Sequence, residues 1–514
     1  MTQDFFLKYS YKIKSLSALK KELKKHKGKK IILCHGHFDV VHPGHVRHLS
    51  YAKSKADVLI VSLTADNFVS KGIYRPHIPE NLRALNIAAF EMVDYVFIDH
   101  SPTPLKLIKF IKPDFFAKGF EYTSKGLPQA TETESRLVES YGGKMIFTPG
   151  DIVYSSSKFI ENNFPKLEVE KIFMLLQKYK ITFESLRKTL KKFSNFSIHV
   201  IGDMIIDIYT QTSLIGGQTK TPTISVLRQN EKKYIGGAGV VAKHIKAAGA
   251  NVVLTTVLGN DILKNFVIND FKKEKIKLNY IIDSTRPTTS KNTIINNMYR
   301  LLKIDHLDNQ PISEKIKNEI RGYIFDINSN ALIFSDFRHG IFNNLSIDFF
   351  LEKFKKKIFK VADSQVASRW GNISDFSNFD LITPNEKEAR FALSDQDSSI
   401  SHLSRKLIKK TKCKNLILKL NSKGIFSVKN LKTIDSFAIP SFAQTVVDPV
   451  GSGDALLAYS TLAFLASNSL IQASIIGNIA AACECELDGN IPIMVSSVNK
   501  KIDDIEKKFN YLIT

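Results

Sequence analysis

The sequence predicts an α/β protein of two domains. Three observations point there: short apolar runs alternate with segments of helical spacing, the alternation lapses after about residue 157 and restarts at Ser197, and each half sets a glycine-containing turn where a strand gives way to a helix. The 514 residues are too many for one ordinary core, and a composition 43% hydrophobic and 24% charged excludes a disordered chain. No fixed-period repeat or low-complexity tract is present, so a solenoid is excluded as well.

Residues 1–29 read as a lead-in that holds a lysine-rich amphipathic segment at 16–28. Ile31-Ile32-Leu33-Cys34, apolar and bounded by Gly36, has the character of a buried parallel strand. Helical spacing at 44–55, a strand-like run at 58–63, a helix near 79–91 and a strand at 95–98 complete an alternation assigned to a first domain at 30–160. In such a sheet ligands sit beyond the carboxyl ends of the strands, where the loops 36–44 and 64–76 fall. A helical connector is expected at 161–195. A larger α/β domain follows at 196–514, with strands at 197–203, 251–258, 331–335, 358–362, 415–420 and 424–428 and a helical run at 455–465.

Basic residues exceed acidic ones, 73 against 50, for a net charge of +23. Such an excess ordinarily points to nucleic acid or an anionic surface. Only 13 of the basic residues are arginine, the side chain whose planar fork reads phosphates and guanines, and the lysines fall in scattered groups at helical spacing. Solvated helix faces explain that pattern better, together with a bias toward anionic metabolites; no specific nucleic acid is expected as a partner. Cys34, Cys413, Cys483 and Cys485 are too few for a disulfide framework and form no CxxC pair. With no run of 18 apolar residues and no signal-like start, the expectation is a cytoplasmic protein without a membrane partner; a homo-oligomer is compatible with the sequence.

Two constellations carry chemistry. In the segment from His35 to His45, His42 and His45 flank Gly44 where a strand yields to a helix. Gly44 lets backbone approach a ligand, the helix start favours negative charge, and the two imidazoles can donate to a triphosphate. A metal site competes, though no carboxylate or third ligand is suitably spaced, and ordinary loop histidines are the plain alternative. Near the other end, Asp448-Pro449-Val450-Gly451-Ser452-Gly453-Asp454 sets a tight glycine turn before a helix. The amides of Gly451, Ser452 and Gly453 can converge on an anion, and Asp454 can take a proton from a substrate hydroxyl. The plain alternative is a glycine turn in which Asp454 caps the helix.

The first segment resembles the GxFDxxHxGH signature of the nucleotidyltransferase superfamily of cytidylyltransferases and sugar-phosphate adenylyltransferases, through Gly36, Phe38, Asp39, His42, Gly44 and His45. Further likeness lies at Lys71-Gly72, Arg75-Pro76 with Arg83 downstream, Lys118-Gly119, and Ser155-Ser156-Ser157. The resemblance implies a Rossmann-like fold, with His42 and His45 on the triphosphate and transition state, Lys71, Arg75 and Lys118 on phosphate charge, and the three serines on the β and γ groups. The second constellation resembles the DxxGxGD signature of ribokinase-like, PfkB-type carbohydrate kinases, and likeness extends over 197 to about 505. It implies Asp454 as the catalytic base, Gly451, Ser452 and Gly453 as an anion hole, and Asn421, Gly424 and Asn478 near ATP. On the sugar side it implies Asp207, Gly236, Gly237 and Lys291, with Asn385 and Glu388 holding Mg²⁺ through water. The chain departs from that family at Val240, at Thr293 after Lys291-Asn292, and in Asp363-Ser364-Gln365, all on the acceptor side.

The pairing resembles the bifunctional heptose-7-phosphate kinase and heptose-1-phosphate adenylyltransferase enzymes of ADP-heptose biosynthesis, with the domain order reversed. It implies phosphorylation of a sugar phosphate by ATP, then nucleotidyl transfer from ATP or CTP to the sugar 1-phosphate with release of pyrophosphate. Alternatives are a CDP-linked sugar or polyol, a chain with one active domain, and a non-catalytic nucleic-acid-binding or regulatory protein. Loss of Asp454 or of the His42/His45 pair would mark the last, and neither is lost.

Overall fold

In the computed structural model the described residues are 8–69, 75–119, 129–148, 168–215, 224–297, 299–326, 328–352, 358–365, 372–430 and 435–513. They form two compact units, Met1–Lys171 with Asp397–His402 and Lys508–Thr514, and Ile172–Gln396 with Leu403–Lys507.

The first unit is built on strands β1 (Ile31–Gly36), β2 (Val58–Thr64), β3 (Tyr95–Asp99), β4 (Phe115–Gly119) and β5 (Lys144–Thr148), in the order β3-β2-β1-β4-β5. Every pairing is parallel. Alternate residues of one strand serve opposite faces: Ile32 and Cys34 pack with Leu59 and Val61, whereas Leu33 packs with Ile60 and Phe116. Both faces being buried, the strands read as unbroken apolar runs. Helix α1 (Leu16–Lys25) covers the second face through Leu19. Helix α2 (Pro43–Lys53) starts from the loop after β1, at the point where the strand order reverses between β1 and β4. That reversal opens a crevice at the carboxyl ends of the strands.

The second unit carries a nine-stranded sheet and a four-stranded sheet. The large sheet runs β10-β9-β6-β13-β14-β15-β16-β17-β18, parallel as far as β16 and antiparallel beyond it. Its strands are β6 (Ser197–Gly202), β9 (Asn251–Leu258), β10 (Lys277–Ile282), β13 (Ala331–Asp336), β14 (Phe359–Ser364), β15 (Leu381–Ile382), β16 (Asn415–Lys419), β17 (Ile425–Lys429) and β18 (Asp435–Ile439). The small sheet runs β12-β11-β7-β8, from β7 (Met204–Leu214), β8 (Val226–Gly237), β11 (Ser290–Asn296) and β12 (Tyr299–His306).

Two long helices, Ser452–Ser467 and Leu470–Cys485, are apolar nearly all round and lie inside the second unit, with Ala455 to Ala463 buried without a break. A helix without a polar face has no surface role to play, so it serves as core.

Residues 161–195 do not behave as a connector where they are described. Helices Glu168–Lys178 and Phe183–Lys191 place Ile172, Leu176, Leu186, Leu190 and Phe193 in the second unit's core. Phe193 lies 5.9 Å from the Tyr459 ring, and Thr189 donates to Gln472 at 2.6 Å. The helical spacing is present, but its apolar stripe is satisfied by burial in that core.

Candidate functional site

In the second unit a cleft of about 560 Å³ opens at the carboxyl ends of the parallel strands. Asp207, Gly237, Lys291, Asn385, Glu388, Asn421, Gly424, Gly451, Ser452, Gly453, Asp454 and Asn478 all line it. These residues span more than half of the chain, and the sheet order is what collects them. Gly236 lies just behind: a Cβ there would stand 2.1 Å from Asp207 Oδ2, which Asn490 Nδ2 also meets at 2.8 Å.

Gly451 starts the helix Ser452–Ser467 with φ 92°, a conformation that suits glycine. A Cβ on it would stand 2.6 Å from Glu484 Oε1 and 2.7 Å from Asn490 Oδ1. The first amides of a helix have no acceptor within it, and the dipole adds positive potential, so this turn suits an anion. Asp454 sits inside that first turn, buried, with Oδ1 meeting no hydrogen-bond partner among the described residues. Burial, then the charges of Asp363, Asp207 and Glu388, push its carboxyl up to about 8 against the pull of Lys419. A carboxyl held near neutrality beside an anion-binding turn is suited to accept a hydroxyl proton.

Lys419, at the end of β16, escaped the sequence reading. Its ammonium lies 2.9 and 3.0 Å from the two oxygens of Asp363, at the end of β14. Burial alone would lower its pKa, but Asp363 and Glu388 outweigh that and hold it raised, so it stays charged. It would touch a Cβ on Gly453 at 3.2 Å, which puts a fixed cation beside the anion turn. Asp363, Lys303, Gln365 and Asn490 were likewise not singled out as site residues; their types are ordinary, and only the fold brings them here.

Asn385 and Glu388 form a reciprocal helix cap. The Asn385 amide donates to Glu388 Oε2 at 2.7 Å, its Nδ2 to Oε1 at 2.6 Å, and the Glu388 amide to Asn385 Oδ1 at 2.9 Å. Burial pushes the Glu388 carboxyl up to about 7. Among the described residues no group of three or more His, Cys, Asp or Glu side chains is arranged to hold a metal directly. The oxygen-rich set of Asp363, Asn385 and Glu388 fits a hard cation held through water, since the cap leaves Glu388 few free lone pairs for direct ligation. Asn421 (φ 53°) and Gly424 (φ 86°) shape the turn between β16 and β17, where a Cβ on Gly424 would stand 2.1 Å from the Ile439 carbonyl. Asn478 donates to the Pro440 carbonyl at 2.7 Å.

In the first unit His42 caps helix α2. Its Nδ1 accepts from the Gly44 amide at 3.1 Å, and His45 Nδ1 accepts from the His42 amide at 3.3 Å. With both Nδ1 atoms used as acceptors, the neutral rings carry their protons on Nε2, as donors. The rings lie 4.0 Å apart. Burial, then the charges of His42 and His48, lower His45 to about 4, so it is neutral at pH 7. A Cβ on Gly44 would stand 2.8 Å from the His42 ring, so the glycine is what lets this ring fold over the helix start. Phe38 (φ 48°) packs 5.2 Å from His45. Asp39 Oδ1 accepts from the amides of His77 and Ile78 at 2.8 and 2.9 Å, tying the first loop to the second.

Arg83, wholly buried, is a further organiser. It donates to the carbonyls of Ile78 at 2.9 Å and Thr64 at 2.8 Å, to that of His37, and to Asp66 at 2.6 Å. It thus holds the loops that leave β1 and β2. Lys118 is half-buried and forms an ion pair with Glu134. Arg75 is half-buried beside Pro76, whereas Lys71 and Ser155, Ser156 and Ser157 lie outside the described residues.

Comparison with known proteins gives a family for each region of the chain. Residues 33–162 match the cytidylyltransferase-like family, and residues 195–494 match the pfkB family of carbohydrate kinases. A bifunctional protein HldE of Geobacter metallireducens is 44% identical over 138 residues, covering 26% of this chain and 27% of that protein. The protein of that name from Helicobacter acinonychis is 27% identical over 335 residues, covering 61% of this chain and 70% of its own length. The chain thus aligns with only about a quarter of the first relative and with more than two thirds of the second. Phosphofructokinase-2 of Escherichia coli, in its tetrameric inhibited form, superposes with a TM-score of 0.51 at 16% identity, covering 60% of this chain and 99% of that one, a likeness of fold. Since the second family match spans more than half of the 514 residues, the chain belongs to the pfkB family of carbohydrate kinases, with a cytidylyltransferase-like region ahead of the kinase.

Proposed function

We propose that the protein catalyses two of the steps that make a nucleotide-activated sugar. The carrying observation is the buried Asp454 inside the Gly451–Gly453 turn, in one cleft with Lys419 and Asp207, on a chain that also holds the His42/His45 helix start. The kinase step transfers the γ-phosphoryl group of ATP to the anomeric hydroxyl of a sugar phosphate, heptose 7-phosphate being the first choice. Asp454 takes the hydroxyl proton, and the glycine-turn amides and Lys419 steady the transferring charge. Mg²⁺, held through water beside Asn385, Glu388 and Asp363, would supply neutralisation of the ATP phosphates. Asn421, Gly424 and Asn478 frame the nucleotide, and Asp207, Gly236, Gly237 and Lys291 the sugar.

In the nucleotidyl step the anomeric phosphate of a sugar 1-phosphate, which the bisphosphate becomes once a separate phosphatase has hydrolysed its remote phosphate, attacks the α-phosphorus of ATP or CTP. One phosphorus–oxygen bond forms and the bond to pyrophosphate breaks, with no covalent enzyme intermediate. His42 and His45 donate from Nε2 to the triphosphate, helped by Phe38, Asp39 and Gly44, which set the loop, and by Lys71, Arg75, Lys118 and the serines 155–157 as phosphate contacts. This reading divides the chain into a nucleotidyltransferase domain at 30–160 and a kinase domain at 196–514 whose core the helices Glu168–Lys178 and Phe183–Lys191 join, treats small anionic metabolites as the partners, and places both reactions in the cytoplasm. The nearest alternative product is a CDP-linked sugar or polyol.

A product screen tests it. The full chain, Mg²⁺ and either ATP or CTP are incubated with heptose 7-phosphate and other sugar phosphates, with products read by mass spectrometry. A sugar bisphosphate and pyrophosphate are expected; His45→Ala should stop pyrophosphate release from a supplied sugar 1-phosphate while leaving bisphosphate formation. Loss of both activities in a folded His45→Ala protein would refute the division of labour.

A further inference from the structure

One buried acid of the kinase unit is left out of the phosphoryl-transfer chemistry. Glu484, near the end of the helix Leu470–Cys485, is wholly buried, and neither of its carboxyl oxygens meets a hydrogen-bond partner among the described residues. An ionised carboxylate so placed is costly, and the group keeps its proton instead. Burial, then the charges of Asp454 and Asp448, push it up to about 9. The cations on neighbouring elements are engaged elsewhere: Arg300 of β12 lies 3.2 Å from Asp448 Oδ1, Lys419 holds Asp363, and Lys501, on the helix Val495–Ile513, donates to Glu486 at 2.5 Å. Asp488, on the loop that follows Glu484, is exposed.

Gly451 shows what this acid faces. A Cβ on that glycine would stand 2.6 Å from Glu484 Oε1 and 2.7 Å from Asn490 Oδ1, so both oxygens look into one small space behind the anion turn. Asn490 Oδ1 is itself buried and meets no hydrogen-bond partner among the described residues. The other end of the same carboxamide is engaged, because Nδ2 donates to Asp207 Oδ2 at 2.8 Å, an oxygen for which Gly236 leaves the room. Two oxygens that share a buried space without a donor repel each other, and a proton on one of them turns the repulsion into a hydrogen bond. A carboxyl group can carry that proton and a carboxamide oxygen cannot.

We propose that Glu484, as the neutral acid, and Asn490 are positioning residues of the kinase: Glu484 donates to Asn490 Oδ1, which fixes the carboxamide with its N–H on Asp207 and so holds Asp207 ready for the sugar acceptor. The inference rests on the kinase reading and adds to it the residues that orient its sugar-side carboxylate. The carboxamide ties the two ends of the cleft together, with Gly451 on one side and Asp207 on the other. Ionised Glu484 would draw the N–H toward itself and turn Oδ1 on Asp207, an acceptor facing an acceptor. Burial raises the Asp207 carboxyl, and Lys291, Lys303 and the Asn490 donor act against it, so losing that donor also loosens its hold on charge.

The test is ADP release by the full chain with heptose 7-phosphate as acceptor, at pH values on both sides of 9, with a thermal melt of each variant. Asn490→Ala should raise KM for the acceptor about 10- to 100-fold, the worth of a hydrogen bond to a charged group, with KM for ATP unmoved. Glu484→Leu should do the same at neutral pH, and Glu484→Gln, which keeps a donor at that point, should return most of the loss. Combining Asn490→Ala with Glu484→Leu should be no worse than either alone, since both cut one chain of contacts. In the unaltered protein KM for the acceptor should hold steady at neutral pH and rise as pH passes about 9, where the acid gives up its proton; Glu484→Gln should remove that rise. This profile decides if the variants fail to fold. An acceptor KM unchanged in Asn490→Ala, KM values for ATP and acceptor that rise together, a flat profile through pH 9, or losses that add in the double variant would each overturn the inference and leave the kinase reading intact. A rate that climbs with added potassium in the unaltered protein but not in Glu484→Gln would overturn it as well, by showing an ionised Glu484 that holds a cation. No turnover of any sugar phosphate by the unaltered protein would end the kinase reading, and the inference with it.

Discussion

Replacing Asp454 by asparagine should stabilise the kinase unit while abolishing its activity, and the two effects have one cause. The carboxyl is displaced from an ordinary value of 3.8 to about 8 by burial and by three neighbouring carboxylates. Below pH 3.8 it is neutral in the folded and unfolded chains alike. Between there and about 8 the unfolded chain sheds this proton and the folded chain keeps it, so stability falls as pH rises across that window. At about 1.4 kcal/mol per tenfold difference in proton affinity the full cost has an upper bound of about 6 kcal/mol, and local relaxation brings it to about 1–3 kcal/mol. Asparagine is isosteric and carries no charge, so it should recover that amount at pH 8, a rise in Tm of about 2–8 °C. The gain should shrink toward pH 5. Sugar-dependent ADP release should meanwhile fall about 10²- to 10⁴-fold, the usual worth of a general base. In the unaltered protein kcat/KM for phosphorylation should climb as pH rises toward 8. Differential scanning fluorimetry at pH 5 and 8, with a coupled ADP assay, measures both. A Tm that drops at pH 8, or phosphorylation that survives, would refute the assignment of Asp454 as the buried base.

Three further outcomes follow from the geometry. Gly451→Ala should cost about 1–3 kcal/mol and most of the kinase activity, because φ 92° disfavours a side chain and the new Cβ would stand 2.6 Å from Glu484; thermal melts and ADP release check it. Lys419→Met should destabilise the same unit by about 3–5 kcal/mol, since Asp363, Glu388 and Asp454 would lose their shared cation, and Asp363→Asn in that background should return part of the loss in denaturant titrations. Arg83→Met should cost the first unit about 3 kcal/mol and suppress pyrophosphate release, because the buried carbonyls of Ile78 and Thr64 lose their donor; unchanged nucleotidyl transfer would show that the loops hold without it.

Several strands of the large sheets that are buried on both faces were legible, though Phe115–Gly119 and Leu381–Ile382, short and flanked by polar residues, were not. The run 31–34 became Ile31–Gly36, 58–63 became Val58–Thr64, and 251–258 matched Asn251–Leu258. The small sheet escaped the sequence reading. All eight residues of Tyr299–His306 are exposed, and Val226–Gly237 is exposed over much of its length, so neither strand has an apolar run or a clean alternation to reveal it. Strand β5 was missed for a similar reason, since most of Lys144–Thr148 is only partly buried.

What the sequence determined by itself are features whose geometry is local. A glycine at φ 92° before a helix, a histidine cap that needs Gly44 beside it, and an Asn385–Glu388 cap are each written within three or four consecutive residues. The tertiary structure decided the rest. Lys419 meets Asp363 because β14, β15 and β16 lie side by side, and Lys303 and Lys291 line one cleft because β12 folds back on β11. A lysine or histidine on a strand end looks the same in sequence whether it meets water or a buried carboxylate, and only strand order sets which.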